Sequence, residues 1–248
     1  KTRFLTTVCA LLTLAVLLGG CSAGAEKAPK KEVGIQLYSV RSLIGAFGNN
    51  QEDYKPMLKQ LADMGYTSVE AASYKDGKIY GQTPEQFRKD VEEAGMKVLS
   101  THCTINLSDE ELAAGDFSKA LAWWDECIAA HKAAGAEYIV VPSMRKVSTL
   151  EELATYCRYF NEVGARCKAA GLKFGYHNHS REFEKIEDRV MLDYMIENTD
   201  PEKVFFQMDV GWTVTAGIDW EAYMNKYSGR FRQTLFLNPF PVQRPEQA

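Results

Sequence analysis

Four segments of this chain repeat one pattern, in which a helical stretch ends at a glycine and an apolar stretch follows at once. They are LADMGYTSVEA (61–71), VEEAGMKVLST (91–101), HKAAGAEYIVV (131–141) and CKAAGLKFGYH (167–177). Gly65, Gly95, Gly135 and Gly171 stand where a helix closes on a left-handed residue, a conformation that costs glycine little. They lie 30, 40 and 36 residues apart, which is the size of a β-α unit. Strands separated by helices at this spacing imply a parallel sheet with helices packed outside it.

The pattern predicts strands at 33–38, 67–71, 97–102, 137–142, 172–177 and 204–209, with a weaker one at 231–237. Helix starts are marked as well. Thr83-Pro84-Glu85 sets an N-cap before a proline at the first helical position, and Thr149 with Glu152 reads as a capping box. Phe117, Leu121, Trp124 and Ile128 recur at helical spacing and are expected on one buried face. Six or seven such units make either a barrel or a doubly wound sheet, and the residues alone leave both open. No GxGxxG and no GxxxxGK motif follows a strand, which weakens a nucleotide-binding sheet. The 248 residues suit one α/β barrel. An eighth strand and its helix are not seen, and Pro239, Pro241 and Pro245 crowd the tail. The barrel therefore reads as incomplete at its C-terminus, or the chain as truncated.

Residues 1–20 read as a signal peptide, with Lys1 and Arg3 before an apolar run from Phe4 to Leu18. That run is shorter than the ~20 residues a membrane span needs. Leu18-Gly19-Gly20-Cys21 resembles a bacterial lipobox, so Cys21 is expected to be lipidated. Residues 21–32 then form the lipidated cysteine and a tether, and 33–248 the barrel domain. An exported, membrane-anchored, periplasm-facing lipoprotein is the expectation, with the lipid as its only membrane contact. Cys103, Cys127, Cys157 and Cys167 lack CxxC spacing. They read as buried free thiols and not as a metal site. A net charge of −4 without a basic run disfavours a nucleic-acid partner and leaves a small sugar as the easier ligand.

Polar residues recur at the C-terminal ends of the expected strands, the working face of parallel α/β folds. Gln36 and Tyr38 end the first strand, Glu70 the second and His102 the third. His177-Asn178-His179 ends the fifth and Asp209 the sixth. Three of the chain's four histidines fall here. The fourth, His131, lies late on a helix, where a surface role is expected. Imidazoles and carboxylates gathered on one rim suit a borderline divalent ion such as manganese or zinc.

GIQLYSVR (34–41), VEA with Glu70, STH with His102, FGYHNHSREF (174–183) and QMDVGW (207–212) together resemble the sugar phosphate isomerase/epimerase group of the xylose isomerase-like TIM barrels. The resemblance covers about residues 33–231. It implies a (β/α)8 barrel with a divalent metal (manganese, zinc or magnesium) at the strand ends. It places His177, His179 and Asp209 at the metal and Glu70, His102 and Glu182 in proton transfer. Gln36, Tyr38, Asn178 and Trp212 are left to hold substrate, with Trp212 against a sugar face. Two positions depart from the family pattern. The seventh-strand metal His is not found, FRQTLFLNPF (231–240) offering Gln and Asn instead, and the eighth-strand Glu lies beyond the last residue.

The expected chemistry is metal-assisted removal of a proton from the carbon next to a carbonyl, on a sugar or keto-sugar. Epimerisation, aldose–ketose isomerisation and β-elimination share that first step. The alternative is a non-catalytic carbohydrate-binding lipoprotein with an incomplete metal set.

Overall fold

A computed structural model describes residues 32–50 and 53–236. The signal, the lipidation site and nearly all of the tether lie outside the described residues. The sheet has seven strands: β1 (Gly34–Gln36), β2 (Ser68–Ala71), β3 (Lys97–His102), β4 (Tyr138–Val141), β5 (Lys173–His177), β6 (Val204–Asp209) and β7 (Phe231–Leu235). Their spatial order is their chain order, and each neighbouring pair is parallel. A doubly wound sheet reverses direction partway. This one does not, so the barrel expectation holds, with seven strands curling as an incomplete barrel.

Every residue of β6 is buried, as a parallel strand covered on both faces requires. Phe206 and Met208 join the core beneath the outer helices. Gln207 and Asp209 alternate with them and face the barrel interior. The outer layer includes the Pro84–Glu93, Ser118–Ala133 and Leu150–Ala170 helices. The Thr83 side chain caps Gln86 N at 3.2 Å. Thr149 caps Glu152 N at 3.2 Å, but Glu152 returns its own bond to Ser148 N, one residue before the box expected from sequence. Phe117, Trp124 and Ile128 are buried and Leu121 packs beside them.

Two sequence expectations change. The first strand stops at Gln36, and Leu37–Val40 turn into a 3-10 helix, so Tyr38 stands on the rim. His131 is fully buried, not on the surface. It sits one turn after Cys127 on the apolar face of its helix, where Thr101 and the Cys127 carbonyl meet its two ring nitrogens at 3.0 and 2.7 Å. Among the described residues, no helix is long and apolar enough to cross a membrane.

Gly164 sits inside the Leu150–Ala170 helix against the chain entering β6. A Cβ there would stand 2.4 Å from the Lys203 carbonyl oxygen. Gly164→Ala gains about 1 kcal/mol in helix propensity, but overpacking against backbone costs about 1–3 kcal/mol. The expected net effect is a lower urea midpoint; a raised midpoint would show that this helix is not seated on Lys203.

Candidate active site

The interior face at the strand C-termini is built from side chains set side by side by sheet register. Gln36 pairs in register with Glu70, and His177 with Gln207. Gln207 is the junction. Its amide nitrogen donates to Glu70 Oε2 at 2.7 Å and to Gln233 Oε1 at 2.9 Å. Its oxygen accepts from His102 Nε2 at 2.9 Å and from His177 Nδ1 at 2.9 Å. Only this amide orientation lets nitrogen face a carboxylate. One residue thereby ties β2, β3, β5 and β7 to β6.

The junction fixes the charge of its neighbours. His102 Nε2 lies 3.0 Å from Glu70 Oε1, and Gln36 donates to the same oxygen at 2.7 Å. Burial opposes ionising Glu70, but His102 and the bonds to Glu70 outweigh it and hold the carboxyl at about 2. Burial likewise opposes a charged His102, and Glu70 outweighs that to raise the imidazole above its usual value. The two are buried together, and each favours the charged form of the other.

His177 takes the opposite state. Its Nδ1–H is committed to Gln207, so in the neutral ring Nε2 carries a lone pair. That nitrogen lies 3.6 Å from Asp209 Oδ2. Asp209 Oδ1 accepts from Trp212 N at 3.0 Å, whereas Oδ2 is buried with no hydrogen-bond partner. Burial, reinforced by His102 and His179, pushes His177 down to about 3. Burial pushes Asp209 up to about 6, against bonds from the Trp212 and Gly211 backbone. Two acceptors thus face each other at this distance. Two ligands on one tetrahedral ion, with bonds of about 2.1 Å, stand about 3.4 Å apart. The pair fits a divalent ion.

The other candidates divide. His179 is fixed through its backbone N–H, which donates to Glu182 Oε2 at 2.8 Å. Its ring lies 4.9 Å from that of His177. Glu182 is fully buried and consumed by Tyr176 Oη (2.8 Å), Arg181 Nε (2.9 Å) and His179 N (2.8 Å). It clamps the loop after β5 and is not free to move a proton. Asn178 is also spent on the fold: it accepts from Asp209 N at 3.0 Å and donates to Thr213 Oγ1 at 3.1 Å. Gln36 positions Glu70. Tyr38 and Trp212 line an open cavity of 420 Å³ at the barrel mouth.

Sequence reading passed over Gln207 and saw Gln233 only as a missing histidine. It also found no cysteine metal spacing, yet Cys103, Cys127 and His131 bring ligand atoms within 4.8 Å of one another. Both nitrogens of this His131 already have partners, and burial raises the Cys127 thiol well above its usual value. These three are bonded to one another and to Thr101 as a core cluster.

The Asp209 shift has a measurable sign. Below its ordinary value of 3.8 the carboxyl is protonated both folded and unfolded; above about 6 the folded state carries a buried, unpaired charge. Asp209→Asn keeps an N-cap and offers an N–H to His177. With chelator present it is expected to gain about 2–3 kcal/mol over the parent at pH 8. The gain should vanish below about pH 4. Equal or lower stability at pH 8 in urea denaturation would mean that Oδ2 is not unpaired.

Residues 58–235 match the xylose isomerase-like TIM barrel family. The chain is 22% identical over 192 residues to the inosose dehydratase of Geobacillus kaustophilus, covering 71% of this chain but only 59% of that protein. It superposes on the crystal structure of a sugar phosphate isomerase/epimerase from Parabacteroides distasonis with a TM-score of 0.75 and 29% identity, over 88% of this chain and 83% of that one. The fold is shared with the zinc-bound IolI protein, at a TM-score of 0.59 and 11% identity, over 81% and 70% of the two chains. With its strand order and the match across β2 to β7, this chain belongs to the xylose isomerase-like TIM barrel family.

Proposed function

We propose that the protein binds a divalent metal ion between His177 and Asp209 and enolises the carbonyl of a sugar or keto-sugar, as an enzyme of the isomerase/epimerase type. The observation that carries this reading is the partnerless Asp209 Oδ2 facing His177 Nε2 at 3.6 Å. A bound ion would polarise the substrate carbonyl and so acidify the neighbouring C–H. The chain's own residues supply the rest. His177 stays neutral because Gln207 occupies its Nδ1–H. His102, its Nε2–H facing Gln207 and Glu70, holds a proton within the barrel, its ring 5.0 Å from that of His177. His179 lines the cavity at the mouth, within reach of a substrate oxygen. The zinc in the IolI protein and the dehydratase activity of the Geobacillus relative are consistent with this chemistry. Manganese, zinc and magnesium all remain candidates.

One observation favours the binding-protein reading. With Gln233 where the family places a seventh-strand histidine, two ligand atoms converge among the described residues, His177 Nε2 and Asp209 Oδ2. Calorimetry separates the two readings. Manganese or zinc chloride is expected to bind at one equivalent, and His177→Ala and Asp209→Asn each to abolish the heat. Affinity should fall as pH drops through about 6, where Asp209 gains its proton, and not near the value of about 3 held by His177. Saturable sugar binding with no metal heat would establish the binding protein instead.

Export is a separate proposal that rests on residues 1–32 alone. Cys21→Ser is expected to leave the protein unprocessed or out of the membrane fraction. Unchanged processing and attachment would refute lipidation at Cys21.

A further inference from the structure

Two thiols meet where the barrel wall touches an outer helix. Cys103 follows directly on His102 at the end of β3, and its backbone N donates to the Val140 carbonyl at 3.1 Å. Cys127 lies in the Ser118–Ala133 helix. Their sulfurs are 3.3 Å apart. A disulfide bond is about 2.05 Å long, so each sulfur has to move inward by about 0.6 Å, which a small rotation about its Cα–Cβ bond supplies. The other two cysteines are placed differently. Cys157 and Cys167 share the Leu150–Ala170 helix. Ten residues of helix set them about 15 Å apart, too far to bridge to each other.

The surroundings accept the bond as readily as the thiols. His131 Nδ1 lies 2.7 Å from the Cys127 carbonyl oxygen, and a carbonyl can only accept, so Nδ1 carries the hydrogen. The same N–H faces Cys127 Sγ at 3.3 Å. A disulfide sulfur keeps its lone pairs and still accepts from it. Oxidation therefore removes two S–H groups and leaves no buried donor without a partner.

The two sulfurs differ in access. Cys127 is fully buried, whereas Cys103 is 6% exposed at the strand end. Burial also holds the Cys127 thiol protonated, and the thiolate is the attacking form. Cys103 is thus the sulfur that meets an oxidant, and Cys127 the one that resolves the intermediate.

We propose that Cys103 and Cys127 are a disulfide-forming pair, oxidised by thiol–disulfide exchange, and that the bond staples the end of β3 to the Ser118–Ala133 helix. The Cys103 thiolate attacks one sulfur of an external disulfide and releases the first thiol, which takes up the proton Cys103 gave up. The Cys127 sulfur then attacks Cys103, and its proton leaves with the second thiol. Two protein S–H bonds and one external S–S bond are exchanged for one protein S–S bond and two external thiols. The closed loop spans 24 residues of sequence separation and includes the Asp109–Ala114 helix. A disulfide holds no thiolate, so oxidation also removes sulfur as a competitor for the ion proposed at His177 and Asp209.

Peptide mapping of the full chain tests the pair. The protein is exposed to oxidised glutathione twice, once folded and once while refolding from urea, and is then alkylated in denaturant and digested with trypsin without reductant. Cleavage after Lys97, Lys119 and Lys132 places the two cysteines on separate peptides, 98–119 and 120–132. These two are expected as one linked species in the refolded sample at least, whatever the state of Cys9 and Cys21. The linked protein should melt about 5–10 °C above the reduced one, and reductant should abolish the difference. Cys127→Ala should show neither the linked species nor the oxidant-dependent shift. The wild-type comparison carries the test alone if that variant folds poorly. Alkylation of both thiols after both treatments would overturn the proposal, as would linkage of either cysteine to Cys157 or Cys167. A linked protein that melts no higher than the reduced one would overturn the staple.

Discussion

The side-chain amide of Gln207 has two N–H donors and two acceptor lone pairs, and all four are engaged inside the barrel. A buried amide so engaged costs little to bury and allows few alternatives. Because its nitrogen must face Glu70, its oxygen must face the two histidines, and their tautomers follow. His102 keeps its proton on Nε2, beside Glu70. His177 becomes a neutral ring whose free lone pair points at Asp209. The chemistry open to this site is therefore set by a residue that itself meets neither the proposed ion nor the mouth cavity.

The same interior holds two groups of potential metal ligands with different states. In the Cys103, Cys127 and His131 group every imidazole nitrogen has a hydrogen-bond partner, and burial keeps the Cys127 thiol protonated. Nothing there is gained by admitting a cation. At His177 and Asp209 a lone pair and a carboxylate oxygen are buried with no donor between them. Burying an unpaired carboxylate is costly, and a divalent ion is a direct way to remove that cost. Proximity alone is a poor guide to a metal site; what distinguishes these two groups is which atoms are left without partners.

The fold was legible because it is written in local terms. Helix ends at Gly65 and Gly171, the caps at Thr83 and Thr149, and uniformly apolar strands such as Tyr138–Val141 each act over a few residues. The site was legible only as an address. Strand ends located Glu70, His102, His177 and Asp209, but their roles depend on partners 30 to 137 residues away in sequence. Glu182 and Asn178 looked functional because they lie in a dense polar motif, yet loop closure uses up their hydrogen-bonding groups. His131 looked exposed because its burial is decided by Thr101 on a neighbouring strand.

The most direct test of the account is anomalous diffraction from crystals soaked in manganese chloride. It predicts one strong peak within about 2.0–2.3 Å of both His177 Nε2 and Asp209 Oδ2, with water or sugar oxygens completing the shell. A peak at the Cys103, Cys127 and His131 group would contradict the account, as would a carboxylate of Asp209 found bonded to protein donors with no ion beside it.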